Sequence, residues 1–177
     1  MRIVGTELVG VHLLESDPIH DDRGWYLNTF DGVTLAEAGL HATFPHQSVS
    51  FNRRRGTVRG LHLQTDPHGE VKVIRCLRGR VFDVIADVRP GSPTFGRWQG
   101  FDLAAGDGRA VHADKGLVHG YQTLVDDTEL SYMLSTGYVP EAATGVRWND
   151  AALAVDWPLP VTIISERDTT LPLLDVN

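Results

Sequence analysis

The residues of this chain that are best suited to chemistry gather around one histidine in an apolar segment. His62 lies within Arg59-Gly60-Leu61-His62-Leu63-Gln64, between a fixed cation and an amide. Other groups with cationic or acid–base character follow later in the chain, at Lys72, His119, Tyr132 and Asp168. A base, an opposing acid and nearby positive charge are what proton exchange at a carbon beside a carbonyl requires. The residue types therefore favour that chemistry, provided that the fold brings them together.

Composition and charge narrow the classes of protein that this chain can be. Its 177 residues, of which 42% are hydrophobic and 22% charged, fit one globular domain over residues 1–177. The net charge of −7 argues against binding to nucleic acid or to an anionic membrane, although a small anion could still enter a local basic pocket. No apolar run approaches the roughly 18 residues of a membrane span, and the N-terminal segment lacks the features of a signal peptide. We therefore expect a cytoplasmic protein.

The only cysteine, Cys76, excludes an intramolecular disulfide and a metal site built from several cysteines. It lies in the apolar run at residues 71–77, so we expect a buried and unreactive thiol.

We predict an all-β fold made of many short strands. Runs rich in Val, Ile and Leu are separated by clusters of Gly, Pro, Asp and Asn, a pattern typical of strands and turns. The predicted strands cover residues 10–14, 47–52, 58–64, 71–77, 79–87, 98–103, 109–111, 118–124 and 128–134. The spacing of the turn clusters favours a sandwich or barrel over alternating strands and helices.

Helical signals are few and short. Residues 33–39 are predicted to form a helix that Asp31 caps and Gly39 ends. A second short helix is expected at residues 149–154, with Asn149 or Asp150 as its cap. The tail, residues 158–177, is expected to wrap around the domain as coil.

Two glycine-punctuated stretches resemble the two motifs of the cupin barrel, whose metal-binding members use three histidines and a glutamate. The first stretch contains His62 and Glu70, and the second contains His119. Gln64 stands where a second histidine of the first motif would be. A three-ligand metal site from His62, Glu70 and His119 is therefore one hypothesis.

Over nearly its whole length the chain resembles the dTDP-4-dehydrorhamnose 3,5-epimerase family, nucleotide-sugar epimerases built on a metal-free cupin jelly roll. Each matching motif is weak alone, but the ordered set is specific. The motifs are Asp22-Arg23-Gly24, Arg59-Gly60-Leu61-His62-Leu63-Gln64, Phe82-Asp83-Val84, Asp87-Val88-Arg89, Ser92-Pro93-Thr94-Phe95-Gly96, Gly116-Leu117-Val118-His119-Gly120, Tyr132, Tyr138-Val139-Pro140, Trp148-Asn149-Asp150, Trp157-Pro158 and Ser165-Glu166-Arg167-Asp168. The resemblance implies a cupin-type jelly-roll sandwich with short peripheral helices and a 4-keto-6-deoxy sugar nucleotide as substrate, without a metal or other cofactor.

The resemblance also implies a role for each site residue. His62 is the base, and Asp168 orients its ring. Tyr132 is the acid on the opposite face of the sugar, and Lys72 is the cation near the ketone oxygen. Arg23 and Arg59 grip the diphosphate. Together with these two arginines, the substrate-binding positions are Gln47, His119, Tyr138 and Arg167.

Three positions depart from the family's pattern. The family usually has glutamate where this chain has Asn28 and Ala143, and a polar residue where it has Val49. Glu141 is a candidate to replace the glutamate missing at Ala143. Because these are substrate-contact positions, the nucleotide base, the sugar, and the choice between inversion at C3, C5 or both stay open.

Other functions compete with a 3,5-epimerase. A single-centre epimerase, a ketoisomerase or a dehydratase could use the same scaffold, and a cupin that only binds sugar would keep the pocket. Tyr132 beside His62 favours epimerisation, because binding alone needs no acid–base pair. The resemblance further implies a homodimer. Residues 10–14 would otherwise leave an apolar strand edge bare, which points the same way.

Overall fold

The computed structural model describes residues 1–176 and consists mainly of β-strands. In chain order the strands are β1 Arg2–Gly5, β2 Val11–Glu15, β3 Ile19–Asp21, β4 Gly24–Tyr26, β5 His46–Asn52, β6 Val58–Gln64, β7 Lys72–Arg78, β8 Arg80–Asp87, β9 Trp98–Ala104, β10 Arg109–Ala113, β11 Leu117–Thr123, β12 Thr128–Leu134 and β13 Ala143–Gly145. The helices are α1 Gly32–Glu37 and α2 Glu166–Thr169. Neither they nor any other helix within residues 1–176 is long and apolar enough to cross a membrane.

Two antiparallel sheets form the body of the molecule. The six-stranded sheet has the order β1-β2-β10-β7-β12-β5, and the five-stranded sheet has the order β13-β6-β11-β8-β9. Neighbours in each sheet are rarely consecutive in the chain, as expected for a jelly roll. The predicted all-β class with short peripheral helices is confirmed, and β3 and β4 form a separate two-stranded hairpin.

The core lies between the two sheets and follows from the period of two along each strand. In β7, Ile74 and Cys76 point inward and are 0% and 2% exposed. They pack in one cluster with residues from the facing sheet, including Ile85 and Leu103 of β8 and β9. Cys76 is buried as predicted, and burial raises the pKa of its thiol to about 11.

All nine predicted strands are present, with ends that differ by at most two residues. Strands β1, β3, β4 and β13 were not predicted, because each has only three or four residues and none is a long apolar run. The expectation of a bare edge at residues 10–14 is wrong. Strand β2 is flanked by β1 and β10, so β1 forms that edge of the sheet.

The helix predictions were partly correct. Helix α1 is present, and the Asp31 carboxylate accepts hydrogen bonds from the amides of Val33 and Thr34. The helix expected at residues 149–154 is wrong. Asp150 instead closes a single turn by accepting from two backbone amides. The tail is not entirely coil, since it contains α2, whose N-cap is Ser165.

Candidate active site

A cavity of about 330 Å3 opens between the two sheets and contains both residues predicted to transfer protons. His62 projects from β6 of the five-stranded sheet, and Tyr132 projects from β12 of the six-stranded sheet. A base and an acid on opposing sheets can reach opposite faces of a ring bound between them. The full lining is Ser48, Val49, Ser50, Arg59, His62, Leu63, Gln64, Glu70, Lys72, His119, Tyr121, Tyr132, Leu134, Tyr138, Ala143 and Arg167.

Behind His62 lies the buried carboxylate of Asp168. The Asp168 Oδ1 is 2.7 Å from His62 Nε2, and its Oδ2 accepts a hydrogen bond of 3.1 Å from the Gly60 amide. Burial raises the pKa of Asp168, but hydrogen bonds from His62 and Gly60 outweigh it and leave the pKa below its usual value. An ionised Asp168 keeps the proton on Nε2, so Nδ1 is the nitrogen of His62 that is left free to act as a base.

Gly60 allows β6 to lie close to its neighbouring strand β11. It has a φ of +131°, which side chains with a Cβ rarely adopt. A Cβ at this position would lie 2.5 Å from the Cα of Gly120 on the neighbouring strand β11. The Arg-Gly-Leu-His motif therefore needs glycine for steric reasons, and the Gly60 amide takes part in holding Asp168.

Tyr132 is partly buried in the other wall. Burial raises the pKa of Tyr132 well above its usual value, and the neighbouring Tyr121 adds to this effect. The Tyr132 hydroxyl lies 3.1 Å from Ser50 Oγ. Its ring meets the ring of His119 edge to face, with centroids 5.9 Å apart. A phenol held protonated in this way is suited to donate a proton.

Lys72 places a positive charge in the same cavity. Its side chain is 9% exposed, and its Nζ lies 3.0 Å from Glu70 Oε1 and 3.4 Å from the backbone oxygen of His62. The second contact puts the ammonium group beside β6, at His62. Glu70 compensates part of this charge while no anion is bound.

His119 is also paired with a carboxylate. Its Nε2 lies 2.7 Å from Oδ1 of Asp83, whose side chain is fully buried on β8. His119 and His62 are direct cross-strand partners on β11 and β6. The cavity therefore has two neighbouring imidazoles, each oriented by its own aspartate.

The rim of the cavity is basic. Arg59 and Arg167 both line it, and Arg167 donates to the backbone oxygen of Ala143 at 3.3 Å. Tyr138 lies beside Arg167, with its hydroxyl 3.5 Å from Nη1. Two guanidinium groups at the mouth of a pocket in an acidic protein are suited to hold an anionic ligand.

Comparison with known proteins agrees with this geometry. The family model of dTDP-4-dehydrorhamnose 3,5-epimerase matches residues 5–175. This chain belongs to the dTDP-4-dehydrorhamnose 3,5-epimerase family. The membership confirms the resemblance seen in the sequence, the cupin-like β fold, and the prediction of a nucleotide-sugar epimerase.

Three similar proteins illustrate the range of the family. A dTDP-4-dehydrorhamnose 3,5-epimerase from Bacillus anthracis strain Ames, crystallised with TDP and PPi, superimposes with a TM-score of 0.94 at 37% identity, covering 98% of this chain and 99% of that one. A dTDP-6-deoxy-D-glucose-3,5-epimerase from Legionella pneumophila, in complex with dTDP-4-keto-L-rhamnose, has a TM-score of 0.92 at 32% identity over 99% of this chain and 93% of that one. A dTDP-4-dehydrorhamnose 3-epimerase from Streptomyces niveus is 37% identical over 98% of this chain and 84% of its own length.

Eight of the ten residues that the epimerase resemblance singled out come together around one cavity, and Asp168 is the only one of them that lies behind its wall. Gln47 instead lines a neighbouring cavity of about 360 Å3, together with Val49 and Arg75. Arg23 lies at the turn between β3 and β4, where its exposed side chain pairs with Asp21. Their roles in substrate binding stay predictions.

The positions that depart from the epimerase pattern have mixed locations. Ala143 lines the cavity, where it supplies a small apolar side chain. Val49 is 62% exposed and alternates with Ser48 and Ser50 along β5, so its side chain faces the neighbouring cavity that contains Gln47. Glu141 is exposed and is absent from the lining, and Asn28 is exposed and accepts a hydrogen bond from the Phe30 amide.

Sequence analysis did not assign four residues that the structure places in or directly behind the site. Asp83 orients His119, and Gln64 accepts a 2.6 Å hydrogen bond from the amide of Val139, next to Tyr138. Ser50 contacts the hydroxyl groups of both Tyr132 and Tyr121. The available signal was strand alternation. Ser48, Ser50 and Asn52 are polar residues on one face of β5, which is unusual for a face that points into a core.

The three residues considered as metal ligands each pair with another side chain. His62 and His119 contact aspartates through Nε2, and Glu70 contacts Lys72. Within the described part of the chain, no group of three His, Cys, Asp or Glu side chains is arranged to hold a metal ion.

Proposed function

We propose that this enzyme inverts C3 and C5 of a dTDP-4-keto-6-deoxyhexose, as a step in deoxysugar biosynthesis. The observation that carries the proposal is the placement of His62 and Tyr132 on opposing sheets around one cavity. Inversion at carbon needs a proton to leave from one face and another to arrive on the opposite face. Two groups on opposite walls meet that requirement without movement of the protein.

His62 starts the reaction by removing a proton from the carbon next to the C4 ketone. Its Nδ1 accepts the proton, and the nearby Asp168 carboxylate stabilises the imidazolium that forms. The electron pair of the broken C–H bond moves onto the C4 oxygen as an enolate. C3 and C5 both flank C4, so either can react in this way.

Lys72 supports the enolate. Its ammonium group belongs to a side chain that is largely buried, and a fixed charge in such a place interacts strongly with a developing oxyanion. Tyr132 then gives its phenolic proton to the carbon from the opposite face. General acid–base catalysis contributes about 10²- to 10⁴-fold, so oxyanion stabilisation must supply much of the remaining acceleration.

The basic rim supports a nucleoside diphosphate as the carrier of the sugar. Arg59 and Arg167 can each form paired hydrogen bonds with phosphate oxygens. The similar proteins from Bacillus anthracis and Legionella pneumophila were crystallised with TDP or a dTDP-sugar, which favours thymidine as the nucleoside.

A single-centre epimerase is the second candidate. The relative from Streptomyces niveus carries the name of a 3-epimerase and is as similar to this chain as the 3,5-epimerase from Bacillus anthracis is. The small apolar side chain of Ala143 in the cavity bears on the same choice, because it changes how the ring is held between two deprotonations.

An NMR time course in deuterated water tests both candidates. With dTDP-4-keto-6-deoxyglucose, we expect deuterium to enter at C3 and C5 with inversion, whereas a 3-epimerase labels and inverts C3 only. His62→Ala should abolish exchange, while His68→Ala, at an exposed histidine outside the cavity, should not change it. Absence of exchange with any 4-keto nucleotide sugar in the wild-type protein would refute the proposal.

We also propose that residues 1–177 act as one cytoplasmic domain that assembles as a homodimer. The support is the exposed apolar surface of the β3–β4 hairpin, where Ile19, Trp25 and Tyr26 are each more than half exposed. Arg23 lies at the tip of this hairpin and does not line its own chain's cavity. Across such an interface Arg23 could reach a diphosphate bound by the second copy.

A further inference from the structure

A row of hydrogen-bonded hydroxyl groups runs from Tyr132 into the core. The Tyr132 hydroxyl lies 3.1 Å from Ser50 Oγ, which lies 3.0 Å from the Tyr121 hydroxyl. Tyr121 in turn lies 3.1 Å from Oδ1 of Asn52. Tyr121 and Asn52 are buried, so these groups depend on one another for hydrogen bonds.

Asn52 sets the direction of every hydrogen bond in this row. Its Nδ2 donates to the backbone oxygen of Thr128, so its Oδ1 is the atom that faces Tyr121 and Arg59. An amide oxygen can only accept a hydrogen bond, so the one hydroxyl proton of Tyr121 must be donated to Asn52. Ser50 must then donate to Tyr121, and Tyr132 must donate to Ser50.

In the resting enzyme the phenolic proton of Tyr132 therefore points toward Ser50. When Tyr132 gives this proton to a carbon, the oxygen left behind is negatively charged and loses its hydrogen bond to Ser50. Burial already raises the pKa of Tyr132, which means that a phenolate there is costly unless a donor turns toward it.

We propose that Ser50 and Tyr121 are positioning residues that reverse their hydrogen bonds to stabilise the phenolate of Tyr132. This inference rests on the proposed function. The O–H bonds of Tyr121 and Ser50 rotate, so that Tyr121 donates to Ser50 and Ser50 donates to the phenolate oxygen. No proton leaves either residue. The single proton transferred is the one that passes from Tyr132 to the carbon.

Arg59 keeps the cost of the reversal low. When Tyr121 turns away, Oδ1 of Asn52 still accepts a hydrogen bond of 2.9 Å from Arg59 Nε. The buried amide oxygen is thus not left without a partner, whereas an unpaired buried acceptor would be expensive. Since Arg59 also lines the cavity, the fixed end of the row lies at the substrate-binding rim.

Tyr121→Phe and Ser50→Ala test the inference through the ratio of inversion to exchange. In deuterated water, His62 can remove a proton and return deuterium to the same face, which labels the sugar without inverting it. Only donation by Tyr132 inverts the carbon. We expect both variants to keep exchange within about twofold of wild type. Ser50→Ala removes the donor to the phenolate and should lower inversion about 10- to 100-fold, the usual effect of losing a hydrogen bond to a charged group. In Tyr121→Phe the Ser50 hydroxyl still reaches the phenolate but has lost the donor behind it, so inversion should fall by less, about two- to tenfold.

Two controls separate this role from a general effect on folding. Ser16→Ala removes a hydroxyl that is buried without a hydrogen-bond partner among residues 1–176, and it should leave the ratio unchanged. In a Tyr132→Phe background, adding Tyr121→Phe should not alter exchange, because no phenolate forms there.

The inference is overturned if wild type inverts the sugar and either Ser50→Ala or Tyr121→Phe leaves the ratio of inversion to exchange unchanged. It is also overturned if exchange and inversion fall together in both variants, since that outcome indicates a structural role. A wild-type protein that neither exchanges nor inverts would instead refute the proposed function.

Discussion

The Asp168 carboxylate restricts His62 to one tautomer and one orientation of its ring. The contact of 2.7 Å through Nε2 leaves Nδ1 as the basic nitrogen. Asp168 is itself fixed by the Gly60 amide and by its place in α2, where its own amide donates to Ser165 Oγ. The ring of His62 is therefore oriented by its own strand, β6, and by a helix of the tail that lies far away in the sequence.

Asp168→Asn should lower kcat by about 10²- to 10⁴-fold, because an amide neither stabilises the imidazolium nor enforces the correct tautomer. Initial rates of inversion measured by NMR would show this. Glu166→Gln, an acid-to-amide change at an exposed position of the same helix, is the matched control and should retain full activity. Equal rates for Asp168→Asn and wild type would contradict the assigned role.

The residues that meet at the site could be predicted from the sequence, whereas most of their hydrogen-bond partners could not. His62, Tyr132, Lys72 and Asp168 stand at positions that the ordered motifs mark, and all four meet at one site. Asp83, Ser50 and Tyr121 belong to strands whose register sets their contacts, and register is decided by packing over the whole sheet. Their hydrogen bonds form across 36 to 82 residues of chain.

At the scale of elements, one family motif serves the fold and not the chemistry. Asp87 ends β8, and its fully buried carboxylate accepts hydrogen bonds from Arg89, Ser92 and Thr94. These bonds close the loop that leads into β9. Burial raises the pKa of Asp87, but the donors outweigh it and leave the pKa far below its usual value.

Asp87→Asn should lower the free energy of unfolding by about 3 kcal/mol at pH 7, the usual cost of breaking a buried ion pair. The folded-state pKa is depressed, so the wild-type advantage is complete above the unfolded pKa of roughly 4 and declines as the pH falls further. Urea denaturation of both proteins from pH 7 to pH 3 would test this. A difference that stays constant down to pH 3 would contradict the expected linkage.

Long strands were predictable from sequence because runs rich in Val, Ile and Leu are bounded by clusters of turn residues. The short strands β3 and β4 carry exposed Ile19, Trp25 and Tyr26, a pattern with no inward face to recognise. The turn at Asp150 was mistaken for a helix, because a capping aspartate looks the same whether one turn or several follow it.

At the scale of the whole molecule, the two sheets enclose the site but leave the β3–β4 hairpin outside them. Among the described strands, β3 and β4 pair with each other and with no other strand. An isolated two-stranded hairpin is marginally stable in water. Its Ile19 and Tyr26 are each 68% exposed. A surface of this kind is better explained by burial against a second copy than by exposure to solvent.

We therefore expect the wild-type protein to sediment as a dimer and the double variant Trp25→Ser, Tyr26→Ser to shift toward a monomer. Removing two aromatic side chains deletes much of the apolar area that the hairpin can bury. Aromatic side chains of this kind often contribute most of the binding free energy of an interface. Sedimentation equilibrium over a range of concentrations gives the dissociation constant. Leu173→Ser, at another exposed apolar residue, should leave it unchanged. A wild-type protein that stays monomeric at micromolar concentration would show that the hairpin has a different role, and would remove the route by which Arg23 could meet a diphosphate.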